Sequence, residues 1–186
     1  MQGKLCLKAI VNAQIKFENV FVPKENKLEK ANSFRDTNKI LLVSRLGICW
    51  VALGIAIGAY DSTIKYISER KQFGKTISSF QISQIKISKM MADIQSMLFF
   101  SKRVTEMYIE GKLDMGVVSV LKAYNTNCLR NIVRIGRELF GGNGILSEYK
   151  IMKIFSDAEA IFTYEGTYDI NNLVFGSEAT GLKAFK

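Results

Sequence analysis

Two hydrophobic rhythms run along the chain, and they change over near residue 37. From Ala13 to Val22 apolar and polar residues alternate, with Ile15, Phe17 and Val20 among the inward candidates. The stretch I-V-N-A-Q-I-K-F-E-N-V-F-V therefore predicts one or two strands. Two strands do not make a stable sheet alone, so this piece needs a partner and reads as the end of a β domain. A charged linker, P-K-E-N-K-L-E-K-A-N-S, follows at 23–33.

Beyond residue 37 the period is helical. A first helix is predicted from Thr37 to Ser68, a rod on the order of 45 Å. R-K-Q-F-G-K-T-I-S-S interrupts it, with Gly74 as the turn residue. A second helix covers 79–110, with Ile87, Met91, Ile94, Leu98, Val104 and Tyr108 on one stripe. Gly111 is suited to cap its end, and Asp114 to cap the start of the next. The third helix, 114–140, has the cleanest period: Val117, Leu121, Tyr124, Cys128, Ile132, Ile135 and Leu139 recur in steps of three and four. G-G-N-G at 141–144 stops it, and shorter helices are expected near 148–157 and 167–179. Long helices with short connections predict a mostly α fold, an up-down four-helix bundle with a short N-terminal β remnant. The domain division is 1–36 and 37–186.

Composition sharpens this picture in four places. Across 186 residues, 48% are hydrophobic, enough to bury a core in one domain. The absence of histidine removes the commonest general base and metal ligand, which leaves carboxylate, cysteine, lysine or tyrosine for proton chemistry near neutrality. Cys6, Cys49 and Cys128 share no metal or redox spacing and read as buried thiols of a reducing compartment. The net charge of +9 is spread along the chain. It is read first as a solvated basic surface, next as a site for polyanionic cofactors, and last as a nucleic-acid face, so no nucleic acid is expected.

The run Leu46–Tyr60 is apolar throughout, with G-x-x-x-G at Gly54 and Gly58. Its length falls short of the roughly 20 residues that cross a bilayer. It is read as a helix buried in a bundle, not a transmembrane segment.

Three motifs bear on chemistry, and each has a plain local reading. G-G-N-G is a helix-terminating turn, or a backbone loop open to a flat or phosphorylated ligand. R-K-Q-F-G at 70–74 is an interhelical loop, or an arginine for a pyrophosphate beside a phenylalanine for a ring system. Arg45 is a flank residue at the edge of an apolar run, or an anion site. In Y-E-G-T-Y-D-I at 164–170, Thr167 is a good N-cap, and the acids suit a helix start. Glu165 is either such an acid or a catalytic base.

Taken in order, R-K-Q-F-G, R-E-L-F-G-G-N-G-I-L-S-E-Y and Y-E-G-T-Y-D-I resemble the C-terminal half of the acyl-CoA dehydrogenase and acyl-CoA oxidase flavoprotein superfamily. Within it the pattern is most similar to glutaryl-CoA dehydrogenases and plant-type short-chain acyl-CoA oxidases. The opening strands resemble the end of that family's middle β domain, and R-L-G-I-C-W the start of its first C-terminal helix.

The resemblance implies a helical-bundle domain that helps build dimers and tetramers, with FAD between subunits. It implies that Arg70, Gln72 and Phe73 meet a neighbouring subunit's FAD, that Glu138, Gly141 and Gly142 line its adenine end, and that Thr167 and Asp169 approach the subunit's own FAD. Arg45 would contact the CoA part of an acyl-CoA thioester. Glu165 would be the base that removes the α proton, between Tyr164 and Gly166, which wall the substrate pocket. Glu138 and Asp169 stand where many relatives carry amides.

The family's N-terminal helical domain and most of its β domain have no counterpart in these residues. The expectation is therefore an enzyme part that works with a partner chain supplying those domains. The rival is a non-catalytic relative serving as a structural accessory subunit of a larger assembly. Mitochondrial matrix, or else peroxisome, is the compartment the family implies.

Overall fold

The computed structural model describes residues 3–185. Its frame is five α-helices: α1, Asn38–Glu69; α2, Gln81–Ile109; α3, Met115–Leu139; α4, Ile151–Thr163; and α5, Tyr168–Thr180. α3 is the central element and packs against all four others, while α1 also packs against α2 and α4. Three long helices with the successive shorter pair α4 and α5 complete the expected bundle.

The helix ends follow from local chemistry. Asp114 accepts the Val117 N–H at 2.7 Å and so starts α3, and Thr167 accepts the Ile170 N–H at 3.3 Å and starts α5. Gly111, at φ +68°, turns the chain out of α2. The fourth helix lies later than expected, because Leu146–Lys150 forms turns before α4 begins.

The main core joins Ala52, Leu53, Ala56 and Ala59 of α1 to Met90, Ile94 and Met97 of α2 and Leu129, Ile132 and Val133 of α3. The alanines let the helices approach closely, and the methionines fill the irregular space between them. The predicted α2 stripe is displaced by part of a turn: Met90 and Met97 are buried, while Met91 and Tyr108 face out. α1 is long and apolar enough to cross a membrane by length and composition. In this fold it contributes Leu46, Cys49, Leu53 and Ile67 to buried contacts.

The strands differ from expectation. No ladder forms between residues 4 and 22 among the described residues, and Ile15, Phe17, Phe21 and Val22 stay exposed. Alternation alone cannot hold a strand without a neighbour to take its N–H and C=O groups. This segment is instead tied to α4 by the Leu7 N–H, which donates to Asp157 Oδ1 at 2.7 Å. Pairing occurs where the sequence reading expected a loop. Lys71–Gln72 (β1) and Lys75–Thr76 (β2) form an antiparallel hairpin with Phe73 and Gly74 at its tip.

Candidate functional site

The hairpin tip is strained in a specific way. Phe73 and Gly74 have φ of +53° and +78°, the paired left-handed geometry of a two-residue hairpin turn. Glycine accepts this readily; phenylalanine does so at a cost of order 1 kcal/mol or more. Phe73 recovers little by packing, since it is 92% exposed and meets Phe80 edge-on with ring centroids 6.3 Å apart.

At the root of this hairpin lies a cleft of about 430 Å³. Arg70 and Gln72 line it from the hairpin, Glu138 from the end of α3, and Gly141 and Gly142 from the turn beyond. Five residues predicted to face a cofactor therefore converge, and Phe73, the sixth of that set, stands outside on the tip. Phe140 closes α3 by stacking on Tyr66 with ring centroids 4.0 Å apart. Asn143 ties the glycine turn to α1 by donating to the Tyr66 hydroxyl at 2.9 Å. Gly144 is required on packing grounds, because a Cβ there would lie 2.6 Å from the Arg137 carbonyl oxygen. A Cβ at Gly141 or Gly142 would meet nothing within 4 Å, so the main chain at these positions is bare toward the cleft. Glu138 carries two cations, Lys86 at 3.0 Å and Arg134 at 2.7 Å. The Lys86 hydrogen bond, then the charges of both, hold its carboxyl below the usual range.

The second cluster is built where α4 hands over to α5. Glu165 and Gly166 have φ of +57° and +92°. A glutamate in this region is uncommon, and the surroundings hold it there. Ser44 Oγ lies 2.7 Å from Glu165 Oε2, and Arg45 Nε donates to the Glu165 carbonyl at 3.0 Å. Asn171 Nδ2 donates to the Gly166 and Thr167 carbonyls at 2.7 and 3.0 Å. Lys122 Nζ donates to the carbonyls of Phe162 and Gly166 at 2.9 and 2.7 Å. The Glu165 N–H has no acceptor among the described residues. Burial, then the Glu165 charge, raise the pKa of the neighbouring Tyr164 phenol. Thr167 caps α5, and Asp169 sits exposed in its first turn.

Arg45 corrects the snorkelling reading. It is 6% exposed, and its guanidinium turns inward, Nε to the Glu165 carbonyl and Nη1 to the Ser119 hydroxyl at 2.7 Å. It braces the turn carrying Glu165. Ser44, Ser119, Lys122 and Asn171 were missed by sequence reasoning. The available signal was a set of polar residues, Ser119, Lys122 and Thr126, recurring at helical spacing on the buried side of α3.

The two clusters stand at opposite ends of α1. Arg45 lies in its second turn and Arg70 caps its end, so at 1.5 Å per residue they are about 37 Å apart. One end offers a cleft with a cation and bare main chain. The other offers a carboxylate and a free N–H on one rigid turn.

A helical domain with these two ends defines a class, and comparison with known proteins identifies it. Residues 34–178 match the family model "Acyl-CoA dehydrogenase, C-terminal domain", and the chain belongs to that family. It is 33% identical over 174 residues to the caffeyl-CoA reductase-Etf complex subunit CarC of Acetobacterium woodii, covering 93% of this chain and 46% of that protein. It is 29% identical to the short-chain specific acyl-CoA dehydrogenase of Clostridium acetobutylicum, over 96% of this chain and 47% of that one. Among solved structures, butyryl-CoA dehydrogenase from Megasphaera elsdenii superposes with a TM-score of 0.83 at 28% identity, covering 88% of this chain and 43% of that one. Glutaryl-CoA dehydrogenase from Mycobacterium smegmatis gives 0.80 at 30% identity, covering 84% and 40%, and a structure of that protein exists in complex with FADH2. The chain thus spans about half the length of the curated relatives it matches.

Proposed function

We propose that this chain is the FAD- and acyl-CoA-binding C-terminal part of an acyl-CoA dehydrogenase or oxidase, acting with polypeptide that supplies the remaining domains. The observation that carries this reading is the Glu165 turn. A carboxylate and an unused main-chain N–H sit on one turn that Arg45, Lys122 and Asn171 hold rigid. An α proton beside a thioester carbonyl is only weakly acidic, so its removal needs a fixed base and a donor for the developing enolate oxygen. Glu165 supplies both: its carboxylate takes the α proton, and its N–H donates to the thioester oxygen. Bound FAD supplies the hydride acceptor for the β carbon.

The residues of the hairpin cleft fit a dinucleotide. Arg70 provides a charge for phosphate, Gly141 and Gly142 allow close approach of a flat group, and Glu138 and Gln72 offer polar contacts. The cleft and Glu165 are too far apart for one flavin to serve both. Each chain therefore contributes Glu165, Thr167 and Asp169 to one cofactor site, and Arg70, Gln72, Phe73 and the glycine turn to a neighbour's. That arrangement requires an oligomer and gives the exposed Phe73 a surface to cover it. The naming of the Acetobacterium relative as a subunit of an Etf complex supports assembly with further chains. A mitochondrial matrix or peroxisomal location belongs to the same proposal. A short/branched chain specific mitochondrial relative from Bos taurus supports the former.

The second reading, a non-catalytic accessory subunit, is favoured by the exposed apolar side chains Ile15, Phe17, Val20 and Phe21, in a segment that suits docking to another protein's sheet edge. Purifying the native protein decides between the two. A flavin spectrum in a preparation that also contains the family's remaining domains is expected. A colourless protein with unrelated partners would overturn the enzyme reading.

A further inference from the structure

Three charged side chains are buried among the described residues: Arg45, Lys122 and Asp157. Asp157 is satisfied by Lys153 and the Leu7 N–H. Arg45 braces Glu165 directly. Lys122, with none of its surface exposed, forms no ion pair among the described residues. Burying an ammonium without a carboxylate is costly, and a methionine of similar shape would fill the same space at less cost. The charge therefore calls for a purpose beyond filling α3's buried face.

Its hydrogen bonds show one. The Phe162 carbonyl is at the C-terminal, negative end of α4, and the Gly166 carbonyl follows Glu165. The two acceptors bracket Glu165 in the chain, so a single Nζ spans the turn from behind. Asn171 shares the Gly166 oxygen, and Arg45 takes the Glu165 oxygen between them. The ammonium also sits among Arg45 and Cys49 of α1 and Glu165 of the turn; burial is the main force lowering its pKa, to about 8.

We propose that Lys122 is a positioning residue: clamped between the Phe162 and Gly166 carbonyls, it sets the left-handed conformation from which Glu165 presents its carboxylate and N–H. This rests on the reading of Glu165 as the base, and it deepens that reading by assigning the device that aims it. Lys122 does not touch substrate.

The test is Lys122→Met in the complete flavin-containing assembly, with two readouts. Turnover per bound flavin should fall about 100-fold, the cost of a base displaced by about 1 Å, while KM for acyl-CoA changes little. In the same variant, the strong intraresidue HN–Hα NOE that a φ of +57° gives Glu165 should disappear. A lysine that only fills space would leave both unchanged, and that result overturns the inference. If the wild-type assembly holds no flavin and turns over no acyl-CoA, the functional reading fails, and the NOE alone decides whether Lys122 sets the turn. If Lys122→Met does not assemble, Lys122→Gln takes its place, since its shorter side chain cannot reach both the Phe162 and Gly166 carbonyls. Turnover and the Glu165 NOE should then weaken together; both at wild-type level in that variant overturns the inference.

Discussion

Arg45 Nε donates to the main-chain carbonyl of Glu165 at 3.0 Å, which ties the second turn of α1 to a turn far along the chain. A buried guanidinium is thus committed to one peptide carbonyl, one hydroxyl and the Met115 thioether. Its fork also meets the Ser119 hydroxyl, so it holds α1, α3 and the α4–α5 turn at once.

Arg45→Lys should therefore not be conservative. Lysine keeps a charge but cannot place two donors on both acceptors in one plane. Leaving either acceptor unpaired in a buried site costs about 1–3 kcal/mol. Chemical denaturation should show a lowered midpoint with an unchanged slope.

Gly166→Ala should be more damaging than its size suggests. Gly166 sits at φ +92°, and a Cβ there would come 2.9 Å from Asn171 Nδ2 and 3.3 Å from an Arg45 nitrogen. Conformational strain of about 1–3 kcal/mol is expected, together with displacement of both braces. Thermal unfolding should register the loss, and turnover should fall with it.

Ser44→Ala should separate catalysis from stability. The Ser44 hydroxyl lies 2.7 Å from Glu165 Oε2 on a partly buried surface. Its removal leaves the carboxylate with one less anchor, so turnover should drop by roughly fivefold for a lost bond of about 1 kcal/mol. The melting temperature should stay close to that of the wild type.

Thiol reactivity should report the packing of α1 against α3. Burial pushes the Cys49 thiol up to about 12 and the Cys128 thiol to about 11, and the thiolate is the reactive form. Under native conditions at pH 8, mass spectrometry should find both unmodified by iodoacetamide. Denaturant should expose them to rapid alkylation.

Much of the frame was legible because helices announce themselves by period. Asp114 and Thr167 cap as their chemistry predicts, and Leu121, Cys128, Ile132 and Ile135 of the α3 repeat are buried, while Tyr124 of the same repeat is exposed. The cleft residues were legible through their motifs, and Arg70, Gln72, Glu138 and the glycines do meet. The braces were not. Arg45 at the edge of an apolar run and Lys122 among core residues are locally indistinguishable from surface-reaching side chains. Only tertiary packing determines that their heads turn inward to the carbonyls beside Glu165. The hairpin at Phe73 was hidden for a similar reason, since a phenylalanine at positive φ contradicts local preference. The alternation before residue 22 misled in the other direction, because it signals a strand only where a neighbouring strand exists.

The role of Glu165 as the base is read most directly by anaerobic mixing of the flavin-containing assembly with acyl-CoA. Glu165→Gln keeps the side chain's size and removes its basicity. The variant should retain flavin, while bleaching of the flavin absorption by substrate is lost or slowed by several orders of magnitude. Reduction at the wild-type rate in Glu165→Gln would contradict that role.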